Sequence, residues 1–266
     1  MKALNEYISE SLLDDEDVIA GDFVEKIRNS VDKYLKDNYK LTGRVVISAK
    51  ANKDGKFIVD VNGRVELVTP VEKLTNEYFV FGSVQHDFVC SWSGIESLEG
   101  SPREVGGDFI CRCCGYIKDL KGAPEVVRGN FICNDCDRLS SLEGAPKTVM
   151  GSFDCTCCRK LKSLEGVSIE VGDHLNCASC PNLTSLKGSP KYIGGNFRIE
   201  RCAKLTSLVG APRHIEGDFC WDACVEINGL LGFPKRVNGN VYARWTGFTQ
   251  EQIADVCQVG GIIHVE

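Results

Sequence analysis

The sequence predicts a β-rich repeat solenoid built on a parallel sheet, with an α-helical cap at the N-terminus and a short helical cap at the C-terminus. Two observations carry this. The first is a period: SLEGSPREVGGDFICRCC, LKGAPEVVRGNFICNDC, SLEGAPKTVMGSFDCTCC, SLEGVSIEVGDHLNCASC, SLKGSPKYIGGNFRIERC and SLVGAPRHIEGDFCWDAC align so that Phe109, Phe131, Phe153, Leu175, Phe197, Phe219 and Val241 form one column with a 22-residue step. The second is unit size. A unit this short cannot bury its own apolar face, so neighbours must stack and share a continuous core.

The frame extends backwards through Val84-Gln-His-Asp-Phe88 and Val61-Asn-Gly-Arg-Val65, giving nine coils from about residue 57 to 246. The chain therefore divides into a helical N-terminal segment (1–43), the solenoid (44–246) and a C-terminal cap (247–266). In each coil, F-x-C alternates inward and outward as a short strand, and columns such as Leu139, Leu142 and Val149 line the remaining inner wall. Pro146 falls in a return arm where no strand ladder needs its N–H. The column Gly63, Gly107, Gly129, Gly151, Gly195, Gly217 and Gly239, interrupted by His86 and Asp173, is expected to mark a left-handed backbone position. Parallel crossovers imply a right-handed coil.

The ends need covers. Asp22-Phe-Val-Glu25 reads as a capping box that opens a helix through Phe23, Ile27, Val31 and Leu35. Strands follow at Val45 to Ser48 and Phe57 to Val61, separated by the turn sequence Asn52-Lys-Asp-Gly55. At the far end Thr249-Gln-Glu-Gln252 is a second capping box, with Ile253 and Val256 on one side of a short helix. An earlier amphipathic segment, Leu4, Tyr7, Ile8 and Leu12, stands apart behind Asp14-Asp-Glu-Asp17 and reads as an accessory cap or a docking tag.

The spacing F-x-C-x-x-C-x-x-L resembles the leucine-rich-repeat signature L-x-L-x-x-(N/C)-x-L, with cysteine at the asparagine position and one extra residue after it. The phrase SLEGAPKxVxGxF and the opening LNEYISESLLDDED are similar to those of leucine-rich-repeat proteins from bacteria and from bacteriophages of gut bacteria. The resemblance implies a solenoid of that type, a phage or gut-bacterial source and a binding surface. It names no ligand.

Fifteen cysteines raise the question of a metal. The first column runs Cys90, Cys111, Cys133, Cys155, Cys177 and then Ile199, Trp221 and Ala243; a ligand position does not accept such replacements, whereas an inward apolar position does. The second column, Ser93, Cys114, Cys136, Cys158, Cys180, Cys202, Cys224 and Thr246, is the asparagine-ladder position, where S–H groups can meet backbone carbonyls of the neighbouring coil. Read as one strand, the pair within a coil is roughly 10 Å apart, too far to share a zinc. Neighbouring coils at about 4.8 Å leave oxidation geometrically open. No metal and no cofactor is expected. Cys113 and Cys157 lie outside both columns as outward thiols.

The net charge is −6, and ten acids against six bases in residues 1–40 place −4 of it there. That balance disfavours a general polyanion binder. No signal peptide opens the chain and no segment is long enough to span a bilayer, so a cytoplasmic location is expected, in the host if phage-encoded and with virion association open. His86, His174, His214 and His264 occupy different columns, and no nucleophile and base converge, so no enzyme is expected.

The outward strand positions remain as the working surface. The candidate partner-binding residues are Trp92, Ile110, Arg112, Ile132, Asn134, Asp154, His174, Arg198, Arg201, Asp222, Tyr242, Arg244 and Trp245. Trp, Tyr and Arg are frequent interface anchors, densest here in the C-terminal coils, although Trp92 and Trp245 also fit as covers of terminal coils. The reading is a non-enzymatic protein-binding module. Its alternatives are a nucleic-acid binder using the return-arm column Arg103, Lys147, Lys191, Arg213 and Lys235, broken by Glu125 and Ile169, and a cysteine-cluster metal or redox protein.

Overall fold

Phe109 sits in register with Phe131, Phe131 with Phe153, and so on to Val241, so each 22-residue step is one rung of a parallel sheet. This computed structural model describes residues 20–48, 51–69, 71–75, 78–167 and 170–266. The segment with Leu4, Tyr7, Ile8 and Leu12, the side chain of Phe23, and Ile169 lie outside the described residues.

The chain is a β-solenoid. Among the described residues its main sheet has eleven strands, from Tyr39–Leu41 (β1) to Ile263–His264, most of them only two residues long. The column of Val105, Val127 and Val149 also forms two-residue strands, which pair in register as a second wall. The return arm is therefore itself a sheet. Among the described residues it runs in two parts, seven strands ending at Glu170–Val171 and four starting at Tyr192–Ile193.

Between the walls the phenylalanine column is fully buried, and its rings stack at 5.1–5.5 Å from Phe88 to Phe153. Leu175 interrupts that stack, and Phe197 on Phe219 resumes it. Ile95, Leu98, Leu139 and Leu142 are buried as the Leu-x-x-Leu columns require.

The left-handed glycines are not the expected column. Positive φ belongs to Gly100, Gly122, Gly144 and their equivalents at the turn after the leucines, and to none of Gly107, Gly129, Gly151 or Gly217. Those glycines answer to a close approach instead. A Cβ on Gly217 would stand 2.1 Å from Asn196 Oδ1 and 2.8 Å from the Gly195 carbonyl carbon of the coil below.

The oxygen at that site belongs to a polar ladder. The residue before each phenylalanine accepts a hydrogen bond from the backbone N–H of its counterpart in the next coil: Asp87 from Asp108, Asp108 from Asn130, Asn130 from Ser152 and Ser152 from His174. His174 then accepts from Asn196, Asn196 from Asp218, Asp218 from Asn240 and Asn240 from Ile262, the eight bonds spanning 2.7–3.3 Å. Asp173 replaces glycine above Ser152, the shortest acceptor in the ladder, whose hydroxyl donates back to Asp173.

At the N-terminus helix α1 (Ala20–Asn38) buries Val31 and Leu35 against the first coils, and Tyr39 OH donates to the Leu74 carbonyl. Asp22 lies inside this helix, not at its cap as the capping-box reading had it. Strands Arg44–Ile47 (β2) and Phe57–Asn62 (β3) form an antiparallel hairpin, its loop held by Asn52 Oδ1, which accepts from the backbone N–H groups of Asp54 and Lys56. At the C-terminus Thr249 caps helix α2 (Gln250–Ala254) through a reciprocal capping box with Gln252. The last residues then add one more coil, since Gln258–Val259 and Ile263–His264 continue both walls in parallel. Among the described residues no helix is long and apolar enough to cross a membrane.

Gly217→Ala should lower stability by about 2–4 kcal/mol, because backbone as well as Asn196 must move, whereas Gly115→Ala, with nothing within 4 Å, should stay within about 0.5 kcal/mol of wild type. Phe153→Ala should cost about 3–5 kcal/mol. Chemical denaturation of the three variants measures all of this, and equal effects of the two glycine changes would contradict the close approach.

Candidate functional site

The outward face is shaped by a turn that repeats in every coil. The two residues between the paired cysteines are not strand: the second of them takes φ of 55–60°, at Trp92, Cys113, Asp135, Cys157, Ser179, Arg201, Ala223 and Trp245. Left-handed backbone costs a non-glycine residue roughly 1–2 kcal/mol. From Trp92 to Ala223 the N–H of that residue donates to a carbonyl of the next coil, as Cys113 does to Asn134 and Arg201 to Asp222. The turn brings both cysteines of the pair inward and throws the left-handed side chain outward.

The cysteines of the two columns are therefore lattice members. All fifteen are free thiols. In the second column each S–H donates to the backbone carbonyl of the first-column residue one coil earlier: Cys136 to Cys111, Cys158 to Cys133, Cys180 to Cys155 and Cys202 to Cys177 at 3.3–3.4 Å, and Cys224 to Ile199 at 3.0 Å. Ser93 and Thr246, at the ends of the column, bond a carbonyl of their own coil instead. Burial pushes the thiols of Cys111, Cys133 and Cys158 well up, and that of Cys136 to about 12. Cys114 is the exception: hydrogen bonds from the Cys90 thiol and the Ser93 hydroxyl lower it to about 7 against its burial. Among the described residues no three His, Cys, Asp or Glu side chains gather as a metal site.

Six of the residues singled out by sequence, Arg198, Arg201, Asp222, Tyr242, Arg244 and Trp245, line one open groove of about 580 Å³ on the C-terminal coils. Its relief comes from alternating side-chain size. Ala178, Ser179, Cys220 and Ala223 are small, and large residues rise on either side of them. Trp245 is 69% exposed, and the Arg244 guanidinium lies 5.6 Å from the Tyr242 ring centre and 5.7 Å from that of Trp245. Tyr242 stacks in turn on His264. Glu200 and Cys220, outward but not singled out beforehand, are on the floor, where burial and nearby Glu200 push the Cys220 thiol up to about 12.

The other seven are dispersed. Trp92 is 77% exposed on an N-terminal coil, and Ile110, Arg112, Ile132, Asn134 and Asp154 follow along the face outside the groove. Asp154 turns inward on its own loop and accepts from the Thr156 N–H. His174 is a ladder member, its Nδ1 accepting from Asn196 N–H at 2.8 Å, which fixes the proton of the neutral ring on Nε2.

The basic column splits in two. Glu125 pairs with both Arg103 and Lys147 at 3.5 Å, whereas among the described residues no carboxylate pairs with Lys191, Arg213 or Lys235. The chain matches no family model, no curated protein and no solved structure.

The thiol lattice has a pH consequence. Of the twelve buried cysteines, every one but Cys114 has a raised pKa, so the unfolded chain loses these protons first. Their contribution is full below the unfolded thiol pKa of about 8.5 and is lost as pH rises, by about 1.4 kcal/mol per pH unit for each thiol. Together they outweigh an ordinary folding free energy of about 5–15 kcal/mol within one or two units. Under reductant the melting temperature should be level from about pH 6.5 to 8 and collapse between about pH 9 and 10.5. A flat profile to pH 10.5 would contradict the buried lattice.

Proposed function

We propose that this chain is a non-enzymatic protein-binding module that takes its partner in the groove of its C-terminal coils. The observation that carries this is Trp245: a large aromatic held at φ 59° and 69% exposed does little for the fold and much for an interface. Arg201 stands two coils away in the same left-handed column, with Ala223 between them, and Tyr242 lines the same groove. Large anchors around small residues make the relief that a partner side chain fills.

The resemblance to leucine-rich-repeat proteins of bacteria and gut-bacterial phages agrees with this reading, since such solenoids work as binding surfaces, and a host cytoplasm is the matching location. The second reading is a nucleic-acid binder, favoured by the unpaired Lys191, Arg213 and Lys235 on the return arm.

One experiment separates them. With a partner captured by the intact chain and identified, Tyr242→Ala with Trp245→Ala should each cost more than about 1 kcal/mol of binding, a fivefold loss or greater, with melting nearly unchanged. Lys191→Ala with Arg213→Ala should leave affinity within about twofold. The reverse pattern, together with salt-sensitive retention on polyanion, would move the site to the return arm.

A further inference from the structure

His174 is the one imidazole in the polar ladder, and the two groups nearest its Nδ1 make opposite demands on that atom. The Asn196 N–H donates to Nδ1 at 2.8 Å, which requires a bare nitrogen. Asp173 Oδ1 lies 3.3 Å from the same atom, which suits a nitrogen that carries a proton. Both atoms converge under Gly195, where a Cβ would stand 2.4 Å from each. With the neutral ring protonated on Nε2, two acceptor atoms therefore sit at 3.3 Å with no hydrogen between them. Every other acceptor in the ladder, from Asp87 to Asn240, is an oxygen, whereas imidazole is the side chain that ordinarily changes charge between about pH 5 and 8. The His174 side chain is 45% exposed, so solvent protons reach it.

The coils packed against the ring leave Asp173 as the group that answers its charge. On the coil below, the Ser152 hydroxyl accepts from the His174 N–H and donates to Asp173 Oδ2, and Asp154 is taken up by Thr156. On the coil above stand Asn196 and Arg198, the latter paired with Glu200. On its own coil the next outward side chain, Asn176, accepts from the Ala178 N–H.

We propose that His174 and Asp173 form an acid-operated latch between their coil and the next. Nδ1 takes a proton from solvent, donates it to Asp173 Oδ1 and stops accepting from Asn196, so one rung of the ladder opens and the imidazolium is held beside a carboxylate. The release is local, because the Leu175 N–H still donates to the Asn196 carbonyl and the Gly195 N–H to the Asp173 carbonyl. It falls where the stack is already loosest: the ladder bond from His174 to Ser152 is the longest of the eight, and Leu175 interrupts the ring column. Asn196 lines the groove of the C-terminal coils, so the freed segment lies at the groove's margin. The latch works whether or not a partner occupies that groove.

The test uses the full chain, labelled with ¹³C and ¹⁵N and kept in reductant, followed by NMR from about pH 8 to about pH 5. At the upper end the His174 ring nitrogens should report the Nε2–H tautomer, and the Asn196 amide should be as protected from exchange as that of Asp218. Through the ring's titration the Asp173 carboxylate carbon should move in step with the ring. Over the same range the protection of Asn196 should fall about fivefold or more, while that of Asn130 and Asp218 stays within about twofold. His174→Asn installs the acceptor that the ladder already uses at Asn130 and Asn240, so it should keep melting nearly unchanged and hold Asn196 protected throughout. Should that change lower melting, the wild-type comparison of Asn196 with Asp218 decides. A neutral ring with its proton on Nδ1, a still Asp173 carbon, unmoved Asn196 protection, an equal loss at Asp218, or the same loss in folded His174→Asn would overturn the latch.

Discussion

A hydrogen bond between coils, admitted by the absence of a side chain, sets the spacing of this molecule. Asn196 Oδ1 reaches the Asp218 N–H at 2.7 Å because Gly217 has no Cβ to stand in its way. Repeated from Asp87 to Ile262, that bond fixes each coil on the one before it, and a slip of even one residue would place a side chain where only hydrogen fits. The exception shows the same constraint from the other side. Where Asp173 takes the glycine position, the acceptor below has shortened to Ser152, and the ladder bond to His174 lengthens to 3.3 Å.

With register fixed, the rest follows rung by rung. Phenylalanine meets phenylalanine, and the second cysteine meets a carbonyl of the preceding coil, by translation alone. The same translation stacks the left-handed residues into an outward column whose identity the fold leaves free, running from Trp92 through Cys113 and Ser179 to Trp245. Freedom there is what lets one coil carry Ala223 and the next Trp245, and so cut a groove into a regular surface.

The core was legible because each inward column repeats a residue type: Phe for the stack, Cys or Ile or Trp beside it, Leu-x-x-Leu beyond. The ladder was not. Asp108, Asn130 and Asp218 alternate with buried phenylalanines, so they read as solvent-facing, and the one ladder expected was that of the second cysteine column, which forms beside this one. The signal was the recurring pair Gly107-Asp108, Gly129-Asn130, Gly195-Asn196, Gly217-Asp218 and Gly239-Asn240, in which glycine marks a close approach and not a left-handed turn. Return-arm strands of two residues are too short to show alternation. Five groove residues, Arg198, Arg201, Tyr242, Arg244 and Trp245, were visible as a cluster of Arg, Tyr and Trp, but Glu200 became notable only when its second oxygen proved to lack a partner.

The ladder is the central claim, and amide hydrogen exchange reads it directly. The N–H groups of Asn130, Ser152, Asp218 and Asn240 belong to half-buried polar residues that would exchange quickly if they faced water. Held by the coil below, they should exchange as slowly as the neighbouring Phe131 and Phe219 amides, which donate to carbonyls of the next coil. Exchange at the rate of the exposed Tyr116 amide would show that the oxygens do not hold them, and the account of the register would fail.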